Sequence, residues 1–591
     1  MQKIKRTYAT FFLVCIVLLL FSTRFINLSW GLPNPFHPDE RNIAVALQQL
    51  SCPNLFDLKN CLNPHFFAYG QFPLYTAFFL ISLVKLLTGR IGAQISYSEA
   101  VLALRIISAV SSLGTALILL KIGEVVVEKK NALLVVIFTG LFGIFSPVLI
   151  QFAHFGTTES LLAFYYSVLM LLSVLLIKNK ISKKIFLFST ATIIGLSIAT
   201  KVSATLFVLL PISAILFHAR NVKQLHLHML YIGKLLVLAG LISVLFSPHN
   251  VISVKEFLSS IKYEVDVARG LFVFYTRSFE ETIPVLFQFK HIFPYALGLP
   301  IFIFFLLGFF LLPWKKEFNF LRASFLIYFL PTSFLYAKWT RFMAPAFPVM
   351  ILISSLFLIE LFEKFRRAKL FIYLLLITTI IPGLAYLSIY TNLDTRLQAT
   401  KWIYQNIPEN SYLLSETANV VDIPIPQVNS KKYIVNSFDF YNLDEDVAIQ
   451  NHLQEALKKA DYIFVPSRRI YKNHTCETPD NFNNTTGKIC KDLKTKYPFL
   501  NEYYEKLFSQ KFGFRKVAEF SSYPKIELFD KTIFIFPDES AEETWTVFDH
   551  PVIRIYKKNQ NRLILQSGFY KLFHGSFELL RSSYWLGRSG F

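Results

Sequence analysis

The sequence predicts a polytopic α-helical membrane protein of about eleven transmembrane helices, followed by a C-terminal extracytoplasmic α/β domain. Three observations predict it. Hydrophobic residues make up 53% of the 591 residues and charged residues only 17%, against about a quarter charged in a soluble globular chain. Apolar runs near the length of a spanning helix recur along residues 1–390. Beyond residue 390 they stop and ordinary polar content returns. This composition excludes disorder, collagen and a small disulfide scaffold. The net charge of +21, from 60 Lys+Arg against 39 Asp+Glu, does not indicate a nucleic-acid partner. Much of the base falls in short clusters between apolar runs, where it reports topology.

The apolar runs lie at 8–24, 73–89, 102–124, 131–149, 160–177, 185–200, 202–217, 229–247, 293–313, 320–336, 343–362 and 369–390. The first follows Lys3, Lys5 and Arg6 but no small-residue cleavage site succeeds it, so it reads as a retained helix starting in the cytoplasm. Basic clusters at 129–130, 178–184, 218–223, 315–316 and 363–369 are separated by pairs of runs, as they must be if all are cytoplasmic. Three runs precede the first cluster, so one of these does not span. The run 73–89 opens with a proline and carries Lys85 in its middle, and reads as a helix on the outer face. The outer side then receives the first loop (25–101), the 150–159 turn, Lys201, the 248–292 loop, the 337–342 turn and everything after 391. The expected setting is a cytoplasmic (plasma) membrane, with the N-terminus inside and the C-terminal domain outside.

Residues 391–557 read as a soluble domain that mixes helical stretches (394–406, 447–459) with strands (462–465, 532–536, 552–556). The basic, aromatic tail 558–591 carries no readable role. Cys52 with Cys61, and Cys476 with Cys490, form two pairs close in sequence and outside the membrane. They are disulfide candidates for an oxidising compartment, or else free thiols; Cys15 is a packing residue of the first helix. Sequons at Asn473, Asn483 and Asn484 are chance-level patterns in an Asn-rich chain.

The candidate chemistry sits in the outer loops. The first reads Pro35-Phe-His37-Pro-Asp39-Glu40-Arg41. Adjacent carboxylates near the hydrocarbon boundary are costly unless they pair, bind a cation or handle protons. Desolvation and a like-charge neighbour would raise one of them toward the range of a general base. The alternative is a solvated acid, with Asp39 capping a helix that begins at Ile43. Glu159 adds an acid where a helix starts, a position the helix dipole also favours. Lys201 is either a snorkelling lysine or an outer cation. Lys338 and Arg341 break the positive-inside rule, which fits an outer anionic ligand. Arg105 joins them unless it pairs with a loop acid. Acids from two loops suit activation of a hydroxyl acceptor. Cations from three suit a phosphate leaving group, and a phosphate leaving group at the outer leaflet points to a lipid-phosphate sugar donor.

The stretch Phe36-His-Pro-Asp-Glu-Arg41 resembles the first-loop acidic motif of lipid-dependent membrane glycosyltransferases of the GT-C fold. Within that class the chain is similar to the protein O-mannosyltransferase and aminoarabinose-transferase group, glycosyltransferase family 39 and relatives, in its prokaryotic members. The segment from Asn63 through Tyr69 to Tyr75 resembles that group's juxtamembrane region, Gly195 to Lys201 its Thr-Lys turn, and Trp339 to Pro348 its Arg-aromatic-Pro motif. Segments 394–408, 497–504 and 549–557 resemble uncharacterised members. His-Pro-Asp-Glu also occurs in the eukaryotic GPI and N-glycan mannosyltransferases, a neighbouring branch.

The resemblance implies an inverting, mannosyltransferase-like enzyme of the cell envelope that takes a sugar from a polyprenyl-phosphate donor to a protein, lipid or glycan hydroxyl. Asp39 would be the general base, with Glu40 positioning it and Glu159 standing, imperfectly, for the second-loop acid. Lys201 and Arg341 would hold the donor phosphate, with Lys338 and Arg105 as weaker candidates. His37, Tyr69 and Tyr75 would support the loop or the acceptor. No metal is required, although a carboxylate pair can take a divalent ion. The rival reading is a membrane transporter or lipid-linked sugar flippase, whose ionisable residues would couple ion movement. The 391–591 region would recruit the acceptor, so that its deletion would weaken acceptor use while donor hydrolysis persists.

Overall fold

The computed structural model describes residues 2–559 except 55, 219–224, 272–273, 366, 368, 418–421, 426–431, 482–486 and 530. The tail 560–591 and the sequons at Asn483 and Asn484 therefore lie outside the described residues. The chain forms two compact units, Met1–Asp394 with Ser522–His550, and Thr395–Ser521 with the chain from Pro551 onward.

The first unit is helical. After α1 (Gln2–Phe25), the first loop folds into α2 (Pro38–Gln48) and α3 (Phe72–Leu87). The long α4 (Tyr97–Val126) starts at a reciprocal capping box between Ser96 and Glu99. The apolar run 131–149, expected as one helix, is broken into α5 (Ala132–Ile144) and α6 (Pro147–His154). They meet at 55°, because a proline inside the run supplies no N–H for the ladder and crowds the preceding turn. Then come α7 (Glu159–Ile177), α8 (Lys183–Thr200), α9 (Leu209–His218) and α10 (Leu225–Phe246). Three shorter helices lie between the bundle helices, α11 (His249–Ile252), α12 (Val254–Ala268) and α13 (Leu286–His291). The bundle closes with α14 (Phe293–Ala296), α15 (Leu299–Leu311), α16 (Lys316–Ser333), α17 (Ala346–Lys364) and α18 (Lys369–Thr391).

Helix α17 is apolar all round and forms the centre of the bundle, packed by α5, α15 and α16. Among the described residues six helices are long and apolar enough to cross a membrane, or seven if the bent pair is one span; four shorter apolar helices accompany them. The chain is thus a membrane protein. The end of α3 lies among polar loop groups, where Lys85 donates to the carbonyls of Ala93 at 2.8 Å and Gln94 at 2.7 Å.

The second unit begins with α19 (Thr395–Asn406) and builds an α/β sheet from β1 (Tyr412–Thr417), β2 (Ile434–Asp439) and β3 (Tyr462–Val465). Helices α20 (Val447–Lys459), α21 (Arg469–His474), α22 (Lys488–Lys496) and α23 (Pro498–Phe508) precede β4 (Phe514–Phe520). Between β4 and the last strand the chain leaves this unit. It forms the hairpin β5 (Lys525–Leu528) and β6 (Lys531–Ile535) and the short helix α24 (Glu543–Val547), all within the first unit. It returns as β7 (Ile553–Lys558), giving the order β2-β1-β3-β7-β4, with the first three strands parallel and β7 antiparallel to both neighbours. Segment 522–550, placed in the soluble domain by its composition, is therefore part of the membrane unit. Its attachments are tertiary and leave no mark in local polarity.

Disulfides join Cys52 to Cys61 in the first unit and Cys476 to Cys490 in the second. Cys15 is free. Asn473 is fully buried and donates to the Arg469 carbonyl, so its sequon is not available in the folded unit.

Candidate active site

Four ionisable side chains meet where bundle helices end. Asp39 stands in the first turn of α2, Glu159 opens α7, Lys201 caps the end of α8, and Arg341 lies in the short 3-10 turn Thr340–Met343 that leads into α17. The helix bearing Asp39 begins earlier than expected. Pro38 fits the first position because no N–H is required there. His37, not Asp39, is the N-cap, and its Nδ1 accepts the Glu40 N–H at 3.4 Å. This leaves the Asp39 carboxylate free of capping, and it pairs with Arg341.

Lys201 lies 3.5 Å from Glu159 and 5.0 Å above the ring of Tyr69. That approach requires Gly70. Its N–H donates to the Thr200 carbonyl at 2.9 Å, and a Cβ on it would fall 1.9 Å from the Ala199 carbonyl oxygen. The first loop is thus laced against the end of α8, with Tyr69 beneath the lysine. Arg341 stacks its guanidinium 4.5 Å from the Trp339 ring, and its Nε is buried without a hydrogen-bond partner. The hydroxyls of Thr158 and Ser160, flanking Glu159, are likewise buried and unpartnered. His37 is held between Phe155 and Phe548, and burial lowers its pKa.

Burial raises the Asp39 carboxyl, but Arg341, His37 and Lys201 outweigh burial and hold it below the ordinary carboxylate range. This corrects the expectation of a raised pKa. The neighbour that was to supply like-charge repulsion, Glu40, faces elsewhere. Its two oxygens accept from Arg105 Nε at 2.6 Å and Nη2 at 2.8 Å, and Oε1 also accepts the Gly156 N–H at 2.8 Å. Arg105 Nη1 donates to the carbonyls of Leu28 and Trp30 at 2.8 and 2.7 Å. Arg105 is therefore a clasp between α4, the first loop and the Gly156 turn, and is not placed to hold phosphate. Asp39 and Glu40 do not present one joint site for a divalent ion, because each is answered by its own arginine. Among the described residues no group of three or more His, Cys, Asp or Glu is arranged to hold a metal.

Lys338 is also apart from the cluster. It is buried, and its Nζ donates to the Tyr336 carbonyl at 3.1 Å. Tyr75 supports the loop by donating to the Leu62 carbonyl at 3.1 Å. Two contributions escape the sequence. Glu264 of α12 lies within electrostatic range of Lys201, Arg341 and Asp39. Segment 538–550 walls the cavity over Asp39 with Thr544 and Phe548. Glu542 anchors that wall to the arginine turn, accepting the Thr340 N–H and hydroxyl, each at 2.9 Å. Nothing in the spacing of these residues marks them, since Glu264 lies more than 60 residues from Lys201 and Arg341, and Glu542 lies 202 residues beyond Thr340.

No known protein family matches the chain, and no curated protein matches it. Solved structures do, each at low sequence identity. The Archaeoglobus fulgidus oligosaccharyltransferase in the apo form is 15% identical, with 80% of this chain and 71% of that one covered and a TM-score of 0.47. ArnT from Cupriavidus metallidurans bound to undecaprenyl phosphate is 12% identical, over 78% and 92%, at 0.45. The arabinofuranosyltransferase AftD from Mycobacteria is 12% identical, over 95% of this chain but only 42% of its own length, at 0.38.

Proposed function

We propose that the protein is an inverting glycosyltransferase that moves a sugar from a polyprenyl-phosphate donor to a hydroxyl acceptor at the outer face of the cytoplasmic membrane. The observation that carries this reading is the pairing of Asp39 with Arg341 beside the Lys201–Glu159 pair, four charges from four distant stretches held at helix ends. Without ligand the two cations are neutralised by carboxylates. A donor phosphate competes for them, and arginine can take it bidentately through the Nε that is otherwise unpartnered. Asp39, released from Arg341, is then a free carboxylate whose pKa climbs back toward the ordinary range. It accepts the proton of the acceptor hydroxyl. The hydroxyl oxygen attacks the anomeric carbon from the face opposite the phosphate, the bond from that carbon to the phosphate oxygen breaks, and the configuration inverts. The polyprenyl phosphate leaves on Arg341 and Lys201.

The test is sugar release by the purified protein in lipid, across a panel of polyprenyl-phosphate sugars, with wild type and Asp39→Asn side by side. Release from one donor, lost in the variant, supports the reaction and the base. Full release by Asp39→Asn removes Asp39 from the chemistry. Unaltered substrate carried across sealed vesicles would instead make the protein a transporter.

A further inference from the structure

A second cavity of the membrane unit is not used by the reaction above. It is a groove of about 680 Å³ bounded by the start of α15, the middle of α18 and the β5–β6 hairpin. That volume is in the range of small-molecule sites. Its lining includes Leu299, Ile381, Pro382, Ile535 and Phe536, and is predominantly apolar. The hairpin is fastened by the Lys525 N–H, which donates to Ser388 Oγ near the end of α18 at 3.2 Å. On α18 the lining runs from Tyr386 to Thr378, eight residues or roughly 12 Å along a helix long enough to cross a membrane. The hairpin itself is uncovered: Phe529 at its turn is 88% exposed, and Leu528, Ile533, Phe534 and Ile535 are each more than half exposed. Such a surface is unstable in water and at home among acyl chains.

One polar residue meets this apolar lining without being satisfied by it. Asp538 lines the groove and is 4% exposed. Its Oδ2 accepts from Trp545 Nε1 at 3.2 Å and from His550 Nε2 at 2.9 Å, while Oδ1 has no hydrogen-bond partner. A buried carboxylate oxygen left unpaired costs free energy, and a ligand that donates one hydrogen bond recovers it. A phosphate brought to the same place meets like charge. An ammonium must be stripped of far more water than a hydroxyl to enter an apolar groove.

We infer that this groove binds a lipid whose acyl chain lies between α15, α18 and the hairpin, with an uncharged hydroxyl head at Asp538. The site is separate from the donor-phosphate cluster and does not depend on the transferase reading. Helix α24 stands between the two, Thr544 lining the Asp39 cavity and Trp545 the groove.

The probe is a diacylglycerol with a diazirine in its acyl chain, crosslinked to the full-length protein in nanodiscs. Phosphatidic acid with the same chain serves as comparison, and adducts are mapped by mass spectrometry. Adducts are expected on peptides spanning 294–300, 378–386 or 524–538. Diacylglycerol should exceed phosphatidic acid by about fivefold, the scale of one hydrogen bond. Thr378→Trp, at an exposed position that fills the groove, should remove these adducts without disturbing the fold. Asp538→Asn should bring the two lipids toward equal labelling. Labelling spread evenly over the lipid-facing helices and unmoved by Thr378→Trp would mean bulk lipid only and overturn the inference, as would equal labelling of wild type by both lipids.

Discussion

The Asp39–Arg341 pair sets two expectations at the scale of single residues. Asp39→Asn should lower transfer by about 10² to 10⁴, the usual worth of a general base, measured as kcat/KM with donor in excess. Arg341 is the principal cation holding the Asp39 carboxyl down. Arg341→Ala should therefore move the acid limb of any residual pH–rate profile upward, while wild type loses activity only as pH falls below the ordinary carboxylate range. His550 makes the opposite kind of prediction. Burial alone would lower its pKa, but Asp538 at 2.9 Å and Asp549 at 2.5 Å raise it from 6.5 to about 10. A raised folded-state pKa gives stability that is complete below the unfolded value and is lost as pH rises through the folded one. The unfolding temperature should therefore fall between pH 6.5 and 10 in wild type, and this slope should flatten in His550→Gln. A slope unchanged by that substitution would show that other groups carry it.

At the scale of elements, Glu40 and Arg105 separate positioning from chemistry. Both are almost fully buried, with every Glu40 oxygen and most Arg105 donors committed. Removing one partner strands a buried charge, at a cost of about 3–5 kcal/mol. Arg105→Ala should therefore lower the unfolding temperature and the yield of folded protein, whereas Arg341→Ala should leave the fold intact and remove activity. A folded, inactive Arg105→Ala with an unchanged unfolding temperature would return Arg105 to the phosphate site. The buried Glu416 in β1 gives the second unit its own signature. Burial pushes its pKa from 4.5 to about 8, against a hydrogen bond from Tyr504 that lowers it. The stability it confers is complete in acid and declines from pH 4.5 to 8; Glu416→Gln should remove that decline in a melt followed by circular dichroism.

At the scale of the molecule, the return of 522–550 to the membrane unit changes what a truncation means. Cutting the chain after residue 394 removes Glu542, Thr544 and Phe548 along with the second unit. Both donor hydrolysis and transfer should then be lost. Joining 394 to 522 and ending at 550 removes only the second unit. That chain should keep donor hydrolysis, and transfer to the acceptor should fall if the second unit recruits it. Loss of both activities in the second chain, with the protein folded, would make the α/β unit a structural requirement.

The sequence by itself marked where most of the bundle's apolar helices fall, though not the break in 131–149, and it marked the α/β character of the C-terminal region and the acids and cations worth suspecting. Apolar length, proline position and charge clustering act over tens of residues, and those are properties a chain carries before it folds. It could not rank those charges. Arg105 and Arg341 look alike in the sequence, and so do Asp39 and Glu40, because each is an ion beside an apolar run. The tertiary structure divides them: Glu40 and Arg105 saturate each other in a buried clasp, while Asp39 and Arg341 pair in the lining of a cavity with donor capacity left over. The shift of Asp39 also runs opposite to the sequence expectation, because a pKa follows the nearest charges in space, and beside the neighbouring His37 these are Arg341 and Lys201, 302 and 162 residues away. The wall formed by 538–550 and the groove at Asp538 exist only through such long-range closure, which no local pattern encodes.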